Sequence, residues 1–264
     1  MGADLIVHHP CEAKQTLGDG DVAEGTRRVL RLLKLRSRAE TVMDMMPDTP
    51  PDEVEFIVMV LTNDGPEEQR VNAGALLKEA EALDPHASGC AGCPANVLGT
   101  PYGCCGFVRY PIPAATEAAF AERLEPPQHI GGHLFIKALI DFEYDGAPIA
   151  RWRERELLEA DGLATRALSE KLSVSSNVML QPILAVGDEL GPTHCLLVLM
   201  WFGALAFDGV VPTDPEDPAP LIALSSQNSD ARLELVPFDD PVANTLATFM
   251  HRAGALGVSL LVDA

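Results

Sequence analysis

The sequence predicts an α+β fold, and three observations point there. Apolar residues fill 47% of 264 positions, enough for a core that needs no disulfide or metal to hold it. The first half mixes β-rich runs with amphipathic helical periods, whereas the second half is mostly helical with a few short strands. A closing strand near the C-terminus is free to pair with others in sequence-distant order.

Taken in order, Leu5-Ile6-Val7 reads as a short opening strand. Asp21 and Glu24 make an acidic capping box before a helix over 22–35, on which Val22, Val29, Leu30 and Leu33 share one face. A second helical piece over 38–46 is stopped by Pro47, Pro50 and Pro51. Val54 to Leu61 is the clearest strand, residues 63–66 form an Asn-Asp-Gly-Pro turn, and Asn72 caps a helix over 73–83. From Asp84 to Gly106 prolines and glycines recur too often for a regular element, which predicts a long ordered loop. Such a loop inside a compact domain calls for a function or a staple. A strand over 107–112 follows, and Pro113 starts a helix to about Leu124.

The stretch from Glu125-Pro126-Pro127 to Gly131-Gly132 is the expected boundary. It divides the chain into an α+β part, 1–127, carrying the Cys-rich loop, and a mainly helical interaction part, 128–264. Helices are predicted over 133–142, 148–160, 163–172, 176–186 and 193–206. An acidic, proline-rich loop spans 208–220, with short strands over 221–224 and 231–237, a helix over 241–254 and a strand over 258–262. The apolar run from Cys195 to Phe207 falls short of the roughly twenty residues a membrane span needs. It reads as a helix buried on all sides, with Trp201 and Phe202 inside.

Nineteen basic against thirty-nine acidic residues leave a net charge of −20. Such a surface gains nothing from counterion release, so nucleic acid is not an expected partner. The N-terminus has neither a basic n-region nor a long apolar stretch, and with no membrane span the expected location is the cytoplasm.

The most specific signal is the thiol segment. Cys90-Ala-Gly-Cys93 and Cys104-Cys105 gather four of six cysteines into a few turns of chain. In a reducing compartment clustered thiols hold a metal or perform redox chemistry. Two cysteines separated by two residues can both face one tetrahedral ion. The expected metal ligands are Cys90, Cys93 and Cys104, with the fourth from Cys11, Cys105 or a histidine. Cys11 is preferred because it follows the opening strand, adjacent cysteines seldom face one ion, and His86 is the other contender. Zinc is the expected metal, with thiolate bonds of about 2.3 Å, and an iron–sulfur cluster is the alternative.

Cys195, in the apolar run, belongs to the core. His129 and His133 have the spacing of two helical metal ligands, but the glycines between them weaken a helix and favour linker histidines. The basic residues from Arg27 to Arg38 form either a solvated face or a docking patch for an acidic partner or an anionic ligand. Together these features suggest a cytosolic zinc-binding module that acts by engaging another protein. The alternative is an enzyme using the CxxC…CC cluster for thiol redox or electron transfer. No phosphate loop or nucleophile elbow accompanies the thiols.

Overall fold

The structure, a computed structural model, describes residues 2–62, 65–109, 112–155, 163–217, 219–220 and 232–263. It is α+β, as the sequence predicts. The chain forms two compact units: the first takes in 1–9, 94–99 and 103–264, the second 10–93 and 100–102. The proposed boundary at 125–132 falls inside the first unit. Residues 63–64 of the expected turn, 156–160 of the expected helix and the expected strand over 221–224 lie outside the described residues.

In the first unit both ends of the chain meet in one antiparallel sheet. Strand β1 (Gly2–Val7) lies between β4 (Cys105–Arg109) and β10 (Leu260–Asp263), with β7 (Glu189–Leu190) beyond β10. Leu5 is opposite Gly106 on one side and Val262 on the other. The opening and closing strands therefore pair across the whole sequence.

Helix α8 (Pro192–Trp201) is apolar around its circumference and packs against α5 (Ile130–Asp141) and α9 (Pro241–Leu256). Trp201 and Phe202 are buried, and the Trp201 ring meets that of Phe135 at 5.5 Å. The predicted helix over 193–206 ends early because Gly203 adopts φ +55°, a left-handed conformation that helix geometry does not allow. The chain then enters β8 (Leu205–Phe207), paired with β9 (Leu233–Leu235). Gly131 and Gly132 are helical, not linker, residues. A Cβ at Gly131 would fall on the Met200 carbonyl oxygen, and one at Gly132 on the carbonyls of Glu125 and Pro126.

The predicted helix over 163–172 is instead a hairpin of β5 (Thr165–Ala167) and β6 (Ser173–Ser175). The Ser169 hydroxyl accepts from the N–H groups of Lys171 and Leu172 at 3.2 and 3.1 Å. That local turn competes successfully with helix formation.

Helices α4 (Ala114–Arg123), α6 (Ala147–Arg155) and α7 (Ser176–Leu184) share a buried ionic network. Glu117 is 2% exposed. Arg153 donates to Glu117 Oε1, and through Nε to Asn177 Oδ1 at 2.7 Å, while the Ser176 hydroxyl donates to Glu117 Oε2 at 2.5 Å.

The second unit begins with the short helix α1 (Glu12–Leu17) and then α2 (Val22–Met45). Asp21 caps α2, accepting from Ala23 and Glu24 at 2.8 and 3.2 Å. The two helical pieces predicted over 22–46 are one helix, since no proline or glycine lies between Leu35 and Arg38. Ala39 of α2 packs with Val54 and Ala73, flanked by Val42, Phe56 and Leu76. Strand β2 (Glu55–Thr62) pairs with β3 (Gly65–Asn72), and Asn72 caps α3 (Ala73–Ala80) with a 3.0 Å bond from Ala75 N–H. The expected loop from Asp84 onward starts as a 3-10 helix over Glu81–Gly92, and β4 already begins at Cys105. Among the described residues no helix is long and apolar enough to cross a membrane.

Candidate functional site

The 3-10 helix over Glu81–Gly92 carries Cys90 near its end, and Cys93 is its C-cap. A turn closes the CxxC segment, with Cys93 N–H donating to the Cys90 carbonyl at 3.2 Å. The Cys90 thiol points at the His86 carbonyl, 3.9 Å away. Cys11, Cys90 and Cys93 all belong to the second unit and are all half-buried.

Tyr102, which carries no motif signal in the sequence, belongs to the same unit. It is buried, adopts φ +59° between Pro101 and Gly103, and donates its hydroxyl to the Leu83 carbonyl. Burial raises the phenol to about 12; the Cys90 thiol adds to the rise, Arg36 opposes it, and Asp84 and Cys11 add further. Arg36 is itself held by Asp84 at 2.7 Å and by the Ala80 carbonyl at 2.8 Å. Cys11 and Cys90, far apart in sequence, thus act on the same hydroxyl.

The sign of this shift gives an alkaline test. The folded phenol ionises above its unfolded value near 10, so its contribution to stability is complete below pH 10 and is lost as pH rises toward 12. Phenolate absorbance is expected to show a late-ionising tyrosine near pH 12, absent in Tyr102→Phe and in urea. Tyr144 is also raised, by burial, so Tyr102→Phe removes only the Tyr102 step.

In the first unit, Cys104 is buried and Cys105 half-buried, and their sulfurs lie 3.9 Å apart. Adjacent cysteines were the less favoured pair on sequence grounds, yet here their sulfurs are in contact. Val7 N–H donates to the Cys104 carbonyl at 3.0 Å, and Cys105 pairs with Ile6. All six cysteines are thiols. The expected ligand set is therefore divided, with Cys104 in the first unit and Cys11, Cys90 and Cys93 in the second. Among the described residues, no three His, Cys, Asp or Glu side chains are gathered as ligands of one ion would be. Burial raises the Cys195 thiol to about 12, in keeping with a core position.

No family model, curated protein or solved structure matches this chain.

The remaining candidates have structural partners. His129 caps α5 and its Nδ1 bonds Glu125 Oε2, while His133 is exposed one turn on. On α2, Arg27 pairs with Glu24 at 2.9 Å, and Arg28 and Arg31 reach Glu79 of α3 at 3.8 and 3.2 Å. These are exposed pairs, each contributing between nothing and about 1 kcal/mol. Much of the basic face thus balances acids of its own unit.

Proposed function

We infer that the chain is a cytoplasmic zinc-binding module that works by engaging another protein, with Cys11, Cys90 and Cys93 of the second unit as zinc ligands. One observation carries the reading: the closed turn, with Cys93 N–H on the Cys90 carbonyl at 3.2 Å, keeps the two cysteines of the CxxC pair together, in the same compact unit as Cys11. The donor set fits zinc by its chemistry, since zinc takes thiolates readily and needs no redox partner. When bound, zinc supplies a fixed tetrahedral centre and adds its binding free energy to folding. The chain's own contribution is to hold the Cys90–Cys93 turn through the 3-10 helix and to keep Cys11 at the N-cap of α1.

Catalytic disulfide exchange is less well supported. An exchanging CxxC pair is acidified when its first thiol sits at a helix N-terminus. Here Cys90 sits at the C-terminal end of its helix, where the backbone dipole opposes a thiolate. Six thiols suit a reducing compartment, and the net charge of −20 favours a protein partner over nucleic acid.

Zinc released on denaturation, read with a chromogenic chelator, tests the ligand assignment. Cys90→Ser and Cys11→Ser are each expected to lower zinc affinity by at least about tenfold, while Cys195→Ser leaves it unchanged. A parallel His86→Ala variant tests that side chain as the fourth ligand. Zinc content unaffected by Cys90→Ser contradicts the assignment.

A further inference from the structure

We propose that Cys104 and Cys105 form a dithiol site that captures trivalent arsenic, both sulfurs bonding one arsenic atom. The inference stands apart from the zinc reading, which uses other cysteines. Its basis is the 3.9 Å separation of the two sulfurs. This is far beyond a disulfide bond of about 2.05 Å, yet close enough for a single atom to bond both.

The backbone of the pair is already fixed. Cys104 accepts from Val7, Cys105 is in register with Ile6, and the next residue, Gly106, is pinned beneath the Phe249 ring where a Cβ would have to stand. Capture therefore orders little chain, which is where a preformed site gains affinity. Half-buried Cys105 gives access, and buried Cys104 shields the second bond from water.

Geometry selects the ligand class. The sulfurs of the two neighbouring residues are only 3.9 Å apart, closer than the roughly 4.6 Å that two collinear metal–sulfur bonds of about 2.3 Å would span. A linear two-coordinate ion needs sulfurs on opposite sides, and a tetrahedral ion needs two further ligands. Pyramidal arsenic(III) takes two thiolates on one side and keeps its third bond to carbon or oxygen. With phenylarsine oxide the arsenic exchanges its oxygen for two sulfurs, forming two As–S bonds as the As–O bonding breaks. Both thiol protons leave with that oxygen as one water, and arsenic stays trivalent, so no oxidant is needed.

The test mixes the reduced full-length chain with equimolar phenylarsine oxide and measures intact mass. A single adduct is expected on the unmodified chain and on Cys90→Ser/Cys93→Ser, reversed by a small dithiol but not by a monothiol. Cys105→Ser, at the half-buried position, is expected to bind at least about tenfold more weakly while keeping the parent circular dichroism, as is Cys105→Ala. An adduct that survives Cys105→Ser, or one lost in Cys90→Ser/Cys93→Ser, overturns the site.

Discussion

Arg153→Met is expected to be among the most damaging single substitutions in the first unit, lowering unfolding free energy by about 3–5 kcal/mol. The side chains of Arg153 and Glu117 are only 12% and 3% exposed. Removing the guanidinium leaves the Glu117 carboxylate hydrogen-bonded to Ser176 but without the counter-charge of Arg153. The cost is mainly that of an uncompensated buried charge, and this gives the prediction its second arm. Glu117→Gln combined with Arg153→Met removes both charges, so the double variant is expected to be more stable than Arg153→Met alone. Urea midpoints for Arg153→Met, Glu117→Gln and the double variant check both arms. A double variant that loses the sum of the single losses means the pair is not coupled.

Gly131→Ala is expected to destabilise by about 1–3 kcal/mol, as overpacking does, although alanine is the better helix former by roughly 1 kcal/mol. The added methyl would collide with the Met200 carbonyl oxygen, which is backbone and cannot rotate away. Helices α5 and α8 would have to separate where Gly131 meets Met200. Gly89→Ala is the control, since a Cβ there meets nothing within 4 Å, and its effect is expected to stay within about 0.5 kcal/mol. Equal denaturation midpoints for the two variants would remove the packing argument.

Both substitutions act where the sequence was hardest to read. The caps of α2 and α3 were legible because Asp21 and Asn72 use short-range chemistry, and the bonds they predict form. The apolar run from Cys195 was legible as a buried helix because its hydrophobicity has no polar side. Strand β3 was not, because Glu67-Glu68-Gln69-Arg70 lacks alternation and is held by pairing with β2. The hairpin over 165–175 was hidden by one serine turn. Glu117 did leave a signal, since it shares the apolar face of α4 with Phe120 and Ala121, and a charge there asks for a buried partner.

The thiol segment was only partly legible. Its cysteines identify the chemistry, but spacing along the chain says nothing of which compact unit each residue joins. Cys93 closes one unit and Pro94 opens a stretch of the other, where Arg252 of α9 bonds the Pro94 carbonyl at 2.9 Å. Tyr102 gave no signal, because a single tyrosine between proline and glycine looks like any turn residue.

The native mass of the full-length chain, purified without chelator, tests the central claim most directly. The account predicts one zinc per chain, lost on acidification, with Cys11, Cys90 and Cys93 protected from alkylation until the metal leaves. A chain at its bare mass, with those three thiols alkylated as fast as in urea, would contradict it.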